Sequence, residues 1–228
     1  MWVLSQRFQV LVGIMCFLMP GTVTGQVVTS RDGNIWFGAG SSGELTQLTA
    51  TSRDREPNLS TDGHHVVFVR GTPGSTVEGP TGDEVEKTEL WMIRTDGTKP
   101  RLLLRGGSQD NSTGLPMAFF QSPQFSLDGN SVYFLSIAAV VTDTAYALDL
   151  KLGHLREVCP ANSLLVVRKG RYAGNLVVEQ HRYFEGGGSY DWVWLVTPQG
   201  KEIGPLGDRH DAAFEPRLRQ ILDDDEGN

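Results

Sequence analysis

Cysteine is nearly absent from this chain. Only Cys16 and Cys159 occur in 228 residues, and Cys16 lies in an N-terminal stretch laid out like a removable leader. Without that stretch one thiol remains, so no intrachain disulfide can brace the fold and the core must hold it alone. Clustered Lys and Arg are lacking too, with 20 basic against 27 acidic residues and a formal net charge of −7. That balance disfavours nucleic acid and anionic lipid as partners, because both need basic patches. No stretch offers the apolar i, i+3, i+4, i+7 series of a long helix. Neither a G-x-S-x-G nucleophile elbow nor a phosphate loop opening a helix occurs. The histidines (His64, His65, His154, His181 and His210) are scattered, and none stands at a metal-ligand spacing with a carboxylate partner. Neither a metal nor a cofactor is expected.

The one apolar run of note opens the chain. Arg7 precedes an apolar stretch from Val10 to Met19, followed by Pro20-Gly21 and small residues ahead of Gln26. Val23 and Gly25 suit the two small-residue positions before a signal-peptidase cut, so residues 1–25 read as a signal peptide. The run falls short of the roughly 20 residues that span a bilayer, which argues against an anchor. Gly13-Ile14-Met15 before Cys16 does not make a lipobox. The expected product is one domain, 26–228, periplasmic or secreted, with no membrane insertion after cleavage.

What the chain does have is repetition. EPNLSTDGHHVVFV, from Glu56, and SPQFSLDGNSVYFL, from Ser122, align without a gap, placing Pro57, Ser60, Asp62, Gly63 and Phe68 on Pro123, Ser126, Asp128, Gly129 and Phe134. Four further segments have the form aromatic strand, glycine turn, second strand. Trp36, Trp91, Tyr146 and Trp194 precede Gly43, Gly97, Gly153 and Gly200 by 7, 6, 7 and 6 residues. Gly and Asp-Gly suit hairpin turns, and the flanking alternation gives each strand one buried face. The turn glycines are spaced by 54, 56 and 47 residues, close to the roughly 40–50 residues of a propeller blade.

The expected fold is all-β: a small β-propeller of four blades, each of four antiparallel strands. Complete blades are read at 55–104, 117–158 and 164–206. The chain after the leader opens with the last hairpin of a blade, at 34–49. Glu215-Pro216-x-Leu218 echoes Glu56-Pro57-x-Leu59, so the C-terminus is expected to supply the missing first strands of that blade. This composite N-/C-terminal blade would close the ring and hide sheet edges, with an open, incomplete ring as the alternative. Phe68 and Phe134 would fill the space between blades.

The pattern x-P-x-[LF]-S-x-D-G-x-x-[VI]-x-F, followed by an aromatic strand and a D-G hairpin, resembles the TolB-type propeller repeat. The likeness is specific over 56–69 and 122–135 and covers about three quarters of the chain after the leader. Blade four departs from it, having Lys169-Gly170 and Gly174-Asn175 as turns in place of S-x-D-G. The N-terminal α/β domain of TolB has no counterpart. The resemblance implies an envelope protein that binds other proteins, such as lipoproteins and toxins, through loops on one face.

Chemistry-bearing residues are few. Ser60-x-Asp62 and Ser126-x-Asp128 read as turn chemistry, in which Ser and Asp satisfy backbone donors. Closure of the ring could gather Glu179, His181 and Asp191, and Asp223–Glu226 is an acidic tail. Two loops exceed structural need: 71–87, either mobile or a binding loop, and FEGGGSYDWVW from Phe184. In the second, Gly186, Gly187 and Gly188 let backbone approach a partner, while Phe184, Ser189, Tyr190 and Asp191 are residue types that anchor interfaces. Trp192 and Trp194 share a face that should be buried. These residues are the expected partner-binding site, with no catalytic residue assigned.

Two classes of function follow. The first is an exported, non-enzymatic module binding another envelope or secreted protein. A narrower form is an immunity protein blocking a periplasmic secretion-system effector, such as a cell-wall amidase. The second is a small propeller hydrolase or lyase with its site in the central channel. No polar cluster marks such a channel, so binding leads.

Overall fold

The computed structural model describes residues 25–40, 43–107, 117–138 and 142–223. The leader up to residue 24 and the acidic tail from residue 224 lie outside the described residues. Four antiparallel sheets follow one another along the chain, and in each the strands lie in sequence order. Sheet one holds β1 (Val27–Arg31), β2 (Asn34–Gly38) and β3 (Thr46–Gln47). Sheet two holds β4 (Asp54–Leu59), β5 (His65–Glu78), β6 (Glu84–Arg94) and β7 (Arg101–Arg105). Sheet three holds β8 (Gln121–Phe125), β9 (Ser131–Ile137), β10 (Asp143–Asp149) and β11 (Leu155–Pro160). Sheet four holds β12 (Ser163–Val166), β13 (Leu176–Tyr183), β14 (Ser189–Val196) and β15 (Glu202–Asp208). A helix, α1 (Phe214–Asp223), ends the described chain.

These sheets are propeller blades. The first strand of each is innermost, since β1 meets β4, β4 meets β8 and β8 meets β12. The core lies between blades rather than inside one. Phe68 packs with Ile35 and Ile93 between blades one and two. Phe134 packs with Phe120 and Tyr146 between blades two and three, with ring centroids 5.2 and 5.8 Å away. Both phenylalanines are fully buried, as the repeat implied.

The repeated phrase builds two identical devices. In the turn, the Ser60 hydroxyl donates to Asp62 Oδ1 at 2.5 Å, and the same carboxylate oxygen accepts the His64 amide at 3.0 Å. Ser126, Asp128 and Asn130 repeat this at 2.6 and 3.1 Å. Hydroxyl first and amide second, these bonds hold both carboxyls below the usual range. Gly63 and Gly129 take φ of 72° and 71°, which a side chain would resist. The second device precedes the strand. Glu56 and Ser122, each ahead of a proline, adopt φ of 53° and 49°, a local strain of about 1–3 kcal/mol. Glu56 Oε2 accepts the Ser122 amide at 2.5 Å, tying one strained bulge to the next.

The residue after each proline then stitches neighbouring blades. Asn58 Oδ1 accepts the Phe125 amide at 3.2 Å. Gln124 donates to the Leu164 carbonyl at 2.7 Å and accepts the Val166 amide at 2.9 Å. By this register the third member of the series is Leu165, which has no amide to offer a following strand. It packs instead against the cluster that includes α1.

Three expectations change. Among the described residues the C-terminal segment supplies no strand to sheet one, and the expected composite blade is not seen. Phe214, Leu218, Ile221 and Leu222 face one side of a helix that covers Val177, Val193, Leu195 and Leu206 of blade four. Pro216 sits in the first turn, where no intrahelical amide is needed, and the Asp211 carboxylate caps the Ala213 amide at 2.9 Å. Blade one is a three-stranded sheet, because Asp32-Gly33 turns β1 into β2. The stretch 71–87 is no loop: β5 and β6 run through it as a long hairpin, paired out to Glu78 and Glu84. Among the described residues no set of contacts joins β12 back to β1 as β4 joins β8.

Candidate functional site

The strands of blade four extend past its core into a second long hairpin. β13 and β14 pair from Leu176–Val196 at the base to Tyr183–Ser189 at the tip. The tip closes through the Phe184 amide donating to the Gly188 carbonyl at 3.0 Å and the Gly187 amide donating to the Phe184 carbonyl at 3.1 Å. Gly187 and Gly188 have φ of 93° and 86°, so both need glycine. A side chain added at Gly186 or Gly187 would meet nothing within 4 Å. The turn therefore stands free of the rest of the molecule.

One face of the hairpin carries a continuous aromatic run. Ring centroids of Phe184 and Tyr190 are 4.6 Å apart, those of Tyr190 and Trp192 5.0 Å, and those of Trp192 and Trp194 6.4 Å. Arg182 lies directly across from Tyr190, and its guanidinium sits 3.9 Å from the Trp194 ring centroid. That cation is held in place by Glu202 and by the Gln180 side-chain carbonyl, to which Nε donates at 3.0 Å. Gln180 in turn donates to the Pro160 carbonyl of blade three at 2.9 Å. Under this end lies Cys159, whose thiol burial pushes up to about 11.

The opposite face is polar. His181 Nδ1 and Asp191 Oδ1 are 2.8 Å apart across the ladder, and Tyr183 meets the imidazole edge-on at 5.1 Å. Glu179 Oε2 accepts from Arg209 at 2.7 Å, and Arg209 also donates to Ser163 at 2.6 Å. Burial pushes the Glu179 carboxyl up, while Arg209 pulls it back. The three polar residues thus sit on one face, but as two separate pairs. An acceptor at Nδ1 can orient an imidazole for acid–base work, although no side chain is placed beside it as a nucleophile. Among the described residues no group of His, Cys, Asp and Glu could hold a metal ion.

The structure brings Phe184, the glycines, Ser189, Tyr190 and Asp191 together at one tip, although Asp191 and Ser189 point away from the aromatic run. The tryptophans differ from expectation. Val193, Leu195 and Val196 are the buried residues of β14, at 1%, 3% and 0% exposure, whereas Trp192 and Trp194 are half-buried. Both faces of β14 are covered near the base, one by α1 and one by blade three, so alternation alone could not say which was core. Arg182 was missed; it stands opposite Tyr190 by simple hairpin register counted from the glycine turn.

No protein-family model and no curated protein matches the chain. Solved structures do. The β-propeller domain of the trilobed protease from Pyrococcus furiosus matches at 11% identity and a TM-score of 0.49, covering 80% of this chain and 53% of that one. A gluconolactonase from Xanthomonas campestris matches at 16% and 0.48, covering 81% and 59%. TolB from Acinetobacter baumannii matches at 12% and 0.34, covering 78% and 49%. The chain spans about half the length of these proteins, and the likeness reaches the propeller fold and no further. One expectation is corrected. Acylaminoacyl peptidase and oligogalacturonate lyase are also among the propeller-bearing matches, so reading the chain as not an enzyme does not stand.

Proposed function

We propose that this chain is a protein-binding propeller that works outside the cytoplasm and grips another envelope or secreted protein with the β13–β14 hairpin. The observation behind this reading is that the tip leaves large apolar groups uncovered. Tyr183 and Phe184 are 70% and 54% exposed, and Phe184 continues through ring contacts into Tyr190 and the tryptophans. An isolated hairpin tip gains little in stability from residues that stay this exposed. A partner's surface would bury them, and aromatic anchors of this kind are commonly worth about 2 kcal/mol or more each. The well-packed base holds the run in place, which lowers the ordering cost on binding; only the glycine turn must still be fixed, at about 1–2 kcal/mol per residue. The resemblance of the repeat to TolB-type propellers points the same way.

The test pairs Phe184→Ala with Tyr190→Ala in the chain purified from its native envelope. Capture of the partner that the wild-type chain retains from envelope extract should fall about 30-fold or more, as expected when two anchors are lost. The melting temperature should stay within a degree or two. Undiminished capture would overturn the hairpin as the binding surface. The mass of the purified chain checks the localisation: loss of residues 1–25 is expected, and a full-length mass would overturn export by cleavage.

A further inference from the structure

The opposite end of the propeller holds a second feature. The first turn of each blade points away from the β13–β14 tip, and there the inner ends of the blades line an open, solvent-facing cleft of about 530 Å³. Val27, Val28, Leu59 and Leu127 give it apolar walls, and Asn58, Arg168 and Lys169 give it a polar side. Among the described residues no carboxylate lines it. Among the described residues Arg168 reaches the Asn58 side-chain oxygen, at 3.4 Å, and no acid pairs with Arg168 or Lys169.

A half-buried guanidinium without a counter-ion is costly, because burial strips water from a charge and nothing returns the lost energy. Burial alone moves the Arg168 guanidinium below its usual range, with no acid opposing it. Asn58 has its oxygen committed to the Phe125 amide and to Arg168, so its NH₂ donors are left for a ligand. The guanidinium fork fits two coplanar oxygens, and Lys169 adds a point charge at the rim.

We infer that this axial cleft binds a small carboxylate with an apolar body, its anionic end on Arg168, Lys169 and Asn58 and its body against Val27, Leu59 and Leu127. Inorganic phosphate would satisfy the cations but gain nothing from those walls. The volume lies within the range of ordinary small-molecule sites.

Titration calorimetry with hexanoate, hexylamine and inorganic phosphate tests this on the full mature chain. Hexanoate should bind saturably at one site, and hexylamine, with the same tail and opposite charge, should not. Arg168→Gln should weaken hexanoate about tenfold or more, the usual loss for a charge-assisted pair. Lys169 is exposed, so Lys169→Glu leaves the fold intact and should weaken binding several-fold even if the arginine variant proves unstable. Equal heats from hexanoate and hexylamine, or hexanoate affinity unchanged in Lys169→Glu, would overturn the site. Tighter binding of phosphate than of hexanoate would overturn the carboxylate assignment in favour of a phosphoryl group.

Discussion

Two hairpins outgrow their blades, and they treat their apolar residues in opposite ways. In the β5–β6 extension, Val77 and Val85 fold inward onto Ala118, Phe119 and Ile137 at the edge of blade three. What remains outside is Glu78, Asp83 and Glu84, the ordinary solvated surface of an acidic protein. In the β13–β14 extension the base is anchored as firmly, by Trp194 and Gln180 against blade three, yet the tip keeps Tyr183 and Phe184 in water. The first hairpin shows that this chain can cover the apolar side chains of a projecting strand pair. That the second leaves its own uncovered is the stronger sign of a surface kept for something else.

Removing the anchor of the aromatic hairpin should have the largest effect. Trp194→Ala empties a half-buried site between blades three and four and frees Arg182, at an expected loss of about 3 kcal/mol, the low end for a core tryptophan. Cys159 reports the same event. Its thiol, raised to about 11, should resist iodoacetamide at pH 8 in the native protein and react in the variant. Chemical denaturation with parallel thiol counting measures both. A protected thiol and an unchanged midpoint would mean that Trp194 does not anchor the hairpin.

Next comes the covered hairpin. Val85→Ala should cost about 1–2 kcal/mol, the worth of two buried methyl groups with their cavity. Capture of the partner should be untouched, since nothing exposed is lost. If capture fell in proportion to stability, the two hairpins would be acting as one surface and the contrast would fail.

The smallest effect concerns pH. Glu179 at the base of the second hairpin has its folded pKa raised above the usual 4.5 by burial. The folded state therefore holds the proton more tightly than the unfolded chain does. Its contribution to stability is fully present below pH 4.5 and declines as pH rises through the raised value. Glu179→Gln should flatten the fall in melting temperature over that window by a degree or two. An identical slope in wild type and variant would show that Arg209 cancels the burial penalty completely.

The sequence made the middle of the molecule readable and left both ends obscure. Blades two and three were found within a few residues because Asp-Gly turns and paired phenylalanines are local signals that repeat, and blade four from the step between Trp194 and Gly200. The β1 strand was missed because VVTSR is short and sits beside the leader. Helix α1 was missed through analogy: Glu215-Pro216-x-Leu218 looks like the start of a blade, although Phe214, Leu218, Ile221 and Leu222 follow helical spacing. The hairpin tip was legible from its three glycines. The cationic cleft was not, since Asn58, Leu127 and Arg168 belong to three different blades and only packing brings them together.

The strand order within each sheet has a consequence for how the molecule assembles. Every strand pairs with its neighbour in the chain, so each blade closes its hydrogen bonds without waiting for a distant segment. Such a molecule behaves as a one-dimensional array, its stability a sum of units and of the interfaces between them. Low sequence separation favours rapid formation of each unit. Unfolding should then start at a terminus and move inward, with the amides of β5 and β9, in the two inner blades, the last to exchange with solvent. Blades two and three, each flanked on both sides, are in this sense the keel of the molecule.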